Sequence, residues 1–232
     1  MRIQYKVILE DFENELDAVA ELVIATGSSS QFSAAARVAA ANGLTLLLAS
    51  IFEEYVRQLV RAVFQEKKAA AQGMEDFPGK LRARMWRTGL ERVARQHFTE
   101  VDSDHRAARD RVESLLAFCL NGNLSANVED DLAHNDTNMR PEEIKRLFSQ
   151  IGMTDAVGKA CAEDIVQTTL GAESSHETAE ITKTRLKEFF DRRNDVAHAL
   201  RFGSSSGPTN ILSDIELFRS FATGMAQAMD RL

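Results

Sequence analysis

Residues 33–71 constrain this chain most, because they read as one long helix interrupted only by an irregularity at Gly43. Its middle, Leu46-Leu47-Leu48-Ala49-Ser50-Ile51-Phe52, is apolar on nearly every side. A helix of that kind has no face to offer to water and belongs at the centre of a core. The chain has only three prolines and twelve glycines in 232 residues, so little else interrupts helix formation. The fold class expected is all-α: a bundle of about six to eight helices around a long central one, with no strand showing period-two alternation. That length suits a single domain over residues 1–232, with an N-terminal helix in 1–30 and a helical elaboration in 73–170.

The remaining elements follow from periodicity and stop signals. Leu9, Phe12, Leu16, Val19 and Val23 recur at spacings of three and four, the stripe of a core-facing helix that Gly and Ser end at 26–30. After a break at 73–79 a basic helix runs over 80–98, and a fourth helix over 103–120 turns Val112, Leu115, Leu116 and Cys119 inward. The polar, Asn/Asp-rich residues 121–139 read as a loop. Pro141 opens a short helix through Ile151, and a weak one follows over 155–169. Ser174-Ser175-His176-Glu177 and Ser213-Asp214-Ile215-Glu216 have capping-box spacing and are expected to open the last two helices.

Charge and cysteine usage narrow the function classes. A net charge of −7 argues against a general nucleic-acid coat protein. The distribution is uneven, however: residues 80–98 hold six basic side chains and one acid, whereas 112–180 hold four basic and thirteen acidic. Lys80, Arg82, Arg84 and Arg87 are therefore candidate RNA contacts, with a solvated helix face as the alternative. Cys119 and Cys161 lack the spacing of a zinc site and fit a reduced cytoplasmic protein. No metal or cofactor is expected, Asp130 and His134 standing in a loop-like segment. The longest apolar run, 44–52, is too short to span a bilayer, so no membrane partner is expected.

The chemistry concentrates in Arg193-Asn194-Asp195-Val196-Ala197-His198, towards the end of an amphipathic helix. A guanidinium holds phosphate through parallel hydrogen bonds, and an imidazole moves protons near neutral pH. The bare spacing is common: with twenty arginines and five histidines, chance supplies an Arg-x4-His in about one of every two such sequences. A second copy, Arg92 to His97, lies in the basic helix and has apolar Val93 after its arginine. Asn194 can orient its neighbours and shares a helical face with His198, while Arg193 sits about 100° away and must reach back. Arg192 is a second guanidinium that can assist or replace Arg193. The competing possibility pairs Arg193 with Glu188, Asp191 or Glu53/Glu54 and leaves His198 as a helix C-terminal residue.

These features resemble the HEPN superfamily, small helical bundles whose last long helices carry Arg-x4-6-His with a polar residue after the arginine. Phe189-Phe190 precede the motif as such a helix requires. Phe52-Glu53-Glu54-Tyr55 and the segment from Asn138 to Ile151-Gly152 are similar to the RiboL-PSP-HEPN branch over residues 35–232. The resemblance implies a metal-independent endoribonuclease cleaving single-stranded RNA at a two-fold dimer interface, with catalytic Arg193, Asn194 and His198. It further implies a toxin, defence or RNA-processing role, with an antitoxin or defence protein as partner. One motif supplies one histidine where the reaction needs both base and acid, so a homodimer is expected. The alternative is a non-catalytic helical module binding RNA, nucleotide or protein through the same seam.

Overall fold

The computed structural model describes residues 1–28, 31–95, 102–134, 138–198 and 207–231. Within them lie ten α-helices, one short 3-10 turn and no strand. The helices are α1 (Ile3–Ser28), α2 (Ala34–Ala70), α3 (Leu81–Arg95), α4 (Asp102–Cys119), α5 (Glu129–Ala133), α6 (Pro141–Gln150), α7 (Ala156–Cys161), α8 (Asp164–Leu170), α9 (Ser175–His198) and α10 (Pro208–Asp230). The all-α class holds, and short helices account for the surplus over six to eight.

The chain forms two compact units. The first comprises Met1–Leu59, Thr137–Lys145 and Asp155–Leu232; the second comprises Val60–Asp136 and Arg146–Thr154. The stretch expected as an elaboration, 73–170, is thus divided, its last helices α7 and α8 packing with α9 and α10 in the first unit.

The first unit is organised by aromatic rings. Phe52 of α2 lies flat on Phe218 of α10 at 4.3 Å, and Phe190 and Phe221 stand 6.3 Å from it. Phe189 meets Phe218 edge-on at 4.7 Å. On α1 the apolar stripe begins at Tyr5 and runs through Val23, fully buried. Its Phe12 packs on Tyr55 at 4.5 Å. The Tyr55 hydroxyl donates to the Ala222 carbonyl at 2.7 Å. Burial, then the charge of Glu13, pushes its phenol well above the usual range, so it remains a neutral donor.

Several expectations are corrected here. Helix α2 is continuous through Gly43. Leu46 and Leu47, placed in an all-round core, are instead 36% and 44% exposed. They lie on a face with Ala36, Ala39, Gly43 and Ser50, while Leu48, Phe52 and Val56 face inward. Helix α2 is also long and apolar enough, by length and composition, to cross a membrane. Counting only the contiguous apolar run missed this, because Val, Ala, Asn and Gly at 38–43 extend the uncharged stretch on its N-terminal side.

The second capping box is not a helix start. Helix α10 begins at Pro208, capped by Gly207, because proline at the first helical position loses no backbone bond. Ser213 and Asp214 lie inside it and receive arginines from α9: Arg185 donates to the Ser213 carbonyl and hydroxyl at 2.8 Å. The single weak helix over 155–169 is two short ones. Asp155 adopts a left-handed conformation (φ 56°), and its carboxylate accepts the Gly158 N–H to start α7. Gly171, at φ 63°, ends α8.

In the second unit, Phe64 meets Phe77 and Phe118 edge-on at 5.7 and 5.9 Å. Helices α3 and α4 pack where Gly89 leaves room for Leu115; a Cβ there would overlap that side chain. Helix α5 replaces part of the expected loop. Five residues are too few for periodicity to reveal, and ion pairs hold it: Lys68 to Glu129 at 2.7 Å, Arg61 to Asp130 at 2.9 Å and Arg92 to Asp131 at 2.6 Å. Arg111 also approaches Asp131, at 3.7 Å. Burial pushes the Asp131 carboxyl up, and the two arginines oppose that shift.

Truncation should separate the buried from the exposed member of this network. Asp131→Ala strands two half-buried arginines and should cost up to about 3 kcal/mol in urea denaturation. Asp130→Ala, on a side chain 67% exposed, should cost less than about 1 kcal/mol. Equal losses would show that burial does not set the strength of these pairs.

Candidate functional site

Helix α9 carries the motif and is fixed at its start. The Ser174 hydroxyl accepts the Glu177 N–H at 3.2 Å, and the Glu177 carboxylate accepts the Glu173 N–H at 3.0 Å. This is the first expected capping box, with the return bond shifted back by one residue. Thr178, Ala179, Thr182, Leu186, Phe189 and Phe190 form its buried face. Two consecutive buried phenylalanines hold the helix rotationally, and the next eight residues carry the polar chemistry.

Those eight residues divide sharply by partner. Asp191 pairs with Arg140 at 2.6 Å. Arg192 places one amino group on both oxygens of Asp214, at 2.8 and 2.7 Å, and lies 5.8 Å above the Phe189 ring. It is therefore a structural tie to α10 rather than a second guanidinium in reserve. Burial pushes the Asp214 carboxyl up, and the Arg192 hydrogen bond opposes it.

Arg193 differs from its neighbour. Its partner among the described residues is the side-chain oxygen of Asn194, 3.4 Å from Nη1. Its Nε is buried and makes no hydrogen bond among the described residues. Three of the four acids expected as partners are engaged elsewhere, Asp191 by Arg140, and Glu53 and Glu54 by Arg57 at 3.2 and 3.3 Å. The fourth, Glu188, is exposed and makes no ion pair with Arg193. Asn194 also accepts the amide N–H of Asn138 at 2.7 Å. His198 ends the helix, exposed to solvent. The site thus joins a half-buried guanidinium lacking a carboxylate partner among the described residues, an oriented amide and an accessible imidazole.

Asn138 and Arg140 escaped sequence reasoning as site residues. They lie more than fifty positions from their partners, and no spacing rule links an irregular segment to a distant helix. The other candidates lie in the second unit. Lys80, Arg82 and Arg87 are exposed, Arg87 being 3.9 Å from Glu91, and Arg84 is half-buried. Arg92, from the second Arg-x4-His copy, is tied to Asp131, while His97 lies outside the described residues. Asp130 is paired with Arg61, and among the described residues no group of three or more His, Cys, Asp or Glu is placed to hold a metal ion. An apolar cleft of about 260 Å³ beside Val23, Leu44, Pro208 and Ile211 contains none of the motif residues.

The family model for RiboL-PSP-HEPN matches residues 10–232, nearly the whole chain. No curated protein and no solved structure gives a significant match. A HEPN domain suggests a ribonuclease or nucleotide-binding role, both of which require groups that hold phosphate. With its helical architecture and a match of this extent, the chain belongs to the RiboL-PSP-HEPN family.

Proposed function

We propose that this protein is a metal-independent endoribonuclease that cleaves single-stranded RNA by attack of the 2′-hydroxyl. The observation that carries this reading is Arg193, a half-buried guanidinium without a carboxylate partner among the described residues, set beside Asn194 one helical turn from an exposed histidine. RNA brings its own nucleophile, so the protein must supply only proton transfer and charge stabilisation. His198 of one copy takes the 2′-hydroxyl proton, and the freed oxygen bonds to phosphorus. The bond from phosphorus to the 5′-oxygen breaks, and that oxygen receives a proton from His198 of the second copy. Arg193 holds the non-bridging oxygens as negative charge accumulates on them. An enzyme of this kind acts on the cell's own RNA, so an antitoxin or a defence trigger is the proposed restraint.

Self-association has a physical basis in α2. Ala36, Ala39, Gly43, Leu46 and Ser50 recur along one face at spacings of three and four, with Leu47 beside them and no charge on the stripe. Around Gly43, where a Cβ would meet open space, two antiparallel copies set the leucines of each against the alanines of the other. The alternative, a module that binds RNA or nucleotide without cutting, separates from the enzyme in a cleavage assay.

Purified protein should cleave single-stranded RNA in EDTA and leave 2′,3′-cyclic phosphate or 3′-phosphate ends. His198→Ala and Arg193→Ala should each lower the rate by on the order of 10²- to 10⁴-fold with helicity retained. Arg193→Lys should stay impaired, since an ammonium lacks the bidentate fork. Products with 3′-hydroxyl ends, an absolute need for a divalent ion, or full activity in His198→Ala would exclude this mechanism. Binding without cleavage would assign the chain to the alternative.

Sedimentation should find a homodimer at micromolar concentration, and Leu46→Glu with Leu47→Glu should dissociate it and abolish cleavage. A monomer with full activity would remove the argument for a site completed by two copies.

Neutralising Lys80, Arg82, Arg84 and Arg87 together should weaken RNA binding. For every phosphate no longer neutralised, the salt dependence should flatten by roughly 0.7 in log–log slope. An unchanged slope would leave this helix an ordinary solvated face.

A further inference from the structure

The segment around Asn138 and Arg140 is fastened to α9 at two points one turn apart. Arg140 pairs with Asp191 at 2.6 Å, and the Asn138 amide donates to Asn194 Oδ1 at 2.7 Å. The same oxygen faces Arg193 Nη1 at 3.4 Å. A guanidinium can only donate, so the Asn194 atom turned towards it must be the oxygen. Asn138 must then present its own NH2 to that oxygen, and the orientation of both amides is settled by the arginine.

Distance decides which contact holds Asn194. At 3.4 Å the arginine bond is long and weak, whereas 2.7 Å is a full hydrogen bond. Without Asn138 the Asn194 amide is free to rotate. With it, the Asn194 NH2 is directed away from both donors and makes no hydrogen bond among the described residues, though it is not buried. The Nε of Arg193 is buried and likewise lacks an acceptor among those residues, so it is the amino end of the guanidinium that can meet an anion. The half-buried guanidinium of Arg193 and the NH2 of Asn194 are thus two donor groups on adjacent residues, one charged and one neutral, left for an anion. The Arg140–Asp191 pair meanwhile occupies one carboxylate of α9 that would otherwise be available to Arg193.

We infer that Asn138 is a positioning residue, which locks the Asn194 amide with its NH2 outward beside Arg193 and so completes a receptor for an RNA phosphate. This rests on Arg193 and Asn194 being the phosphate-holding part of the proposed site. Asn138 touches no reacting atom, and its effect passes entirely through Asn194.

The test uses the full chain and a single-stranded DNA oligonucleotide, which carries the phosphates but lacks the 2′-hydroxyl and cannot be cut. Affinity is read by fluorescence anisotropy at low salt, with melting temperature and dimerisation followed in parallel. Asn138→Ala should weaken binding about 2- to 10-fold, the scale of one neutral hydrogen bond. Asn138→Asp should lose more, because a carboxylate turns the Asn194 amide around and sets a negative charge beside Arg193. Melting temperature should change little in either. In an Asn194→Ala background, Asn138→Ala should cause no further loss, since both remove the same device.

Wild-type affinity in Asn138→Ala, a full additional loss in the Asn194→Ala background, or no binding of DNA by the unaltered protein would each overturn the inference. The two readings fail separately. Protein that never cuts RNA but shows this coupling keeps the phosphate receptor and loses the ribonuclease. Protein that cuts RNA while Asn138 variants bind and cut as the wild type keeps the ribonuclease and loses the role of Asn138.

Discussion

The stacking of Phe52 on Phe218 is the contact on which the rest of the first unit depends. Ring planes only 8° apart at 4.3 Å leave no freedom for α2 and α10 to slide past one another. Phe190 and Phe189 enter the same cluster from α9, one against Phe52 and the other against Phe218. Adjacent residues on a helix point about 100° apart, so burying both fixes the rotation of α9 about its own axis. The residues that follow inherit that rotation. Arg192 is turned to α10, Arg193 is left half-buried, and Asn194 meets Asn138. Chemistry at the end of α9 is therefore set by packing that begins before it.

Charge pairing accomplishes the rest by subtraction. Around the motif four carboxylates meet other cations: Asp191 has Arg140, Asp214 has Arg192, and Glu53 and Glu54 share Arg57. Glu188 and Asp195, by contrast, are exposed and pair with no cation among the described residues. The four pairs range from part-exposed, as in Arg140–Asp191, to one with a buried carboxylate, Asp214. Their consequence is positional, since each occupied carboxylate is one that does not neutralise Arg193. The second unit shows the opposite use of charge. There the acids of α5 are matched by basic side chains from α2, α3 and α4, and the pairing ties a one-turn helix to three longer ones.

Much of this was legible in the sequence, for reasons that also mark its limits. Helices longer than about three turns show their buried face through periodicity. Leu9, Phe12, Leu16, Val19 and Val23 accordingly read correctly, and so did the long α2. The five residues of α5 complete barely one turn and give periodicity nothing to act on. The start of α10 misled because Ser213 and Glu216 have capping spacing, whereas Gly207 and Pro208 have the stronger local chemistry. Leu46 and Leu47 read as core because apolarity alone does not say whether a partner covers it. Arg193, Asn194 and His198, the residues of the proposed site, could be singled out because they stand in one short stretch. Asn138 was not, because its role is created by a contact across 56 positions.

The lack of a carboxylate partner for Arg193 among the described residues gives the proposed site its physical character, since a buried Nε without a hydrogen bond among those residues is shared by Arg192. A charged group partly withdrawn from water without an opposite charge beside it is costly to keep. The packing of Phe189 and Phe190 fixes the rotation of α9, and Arg193 is left half-buried while a carboxylate partner is withheld. An anion arriving at Arg193 and Asn194 would meet a guanidinium whose charge no carboxylate among the described residues offsets, and would gain most when its own charge is highest. For a phosphodiester that moment is the five-coordinate arrangement at phosphorus, where the non-bridging oxygens carry more charge than in the resting substrate. Differential stabilisation of that kind is what accelerates a reaction, whereas equal stabilisation of substrate and transition state only tightens binding. An arginine satisfied in the free protein could not act this way, because breaking its existing pair would cancel the gain. That is the physical difference between Arg193, lacking a carboxylate partner among the described residues, and Arg192, one residue earlier and committed to Asp214.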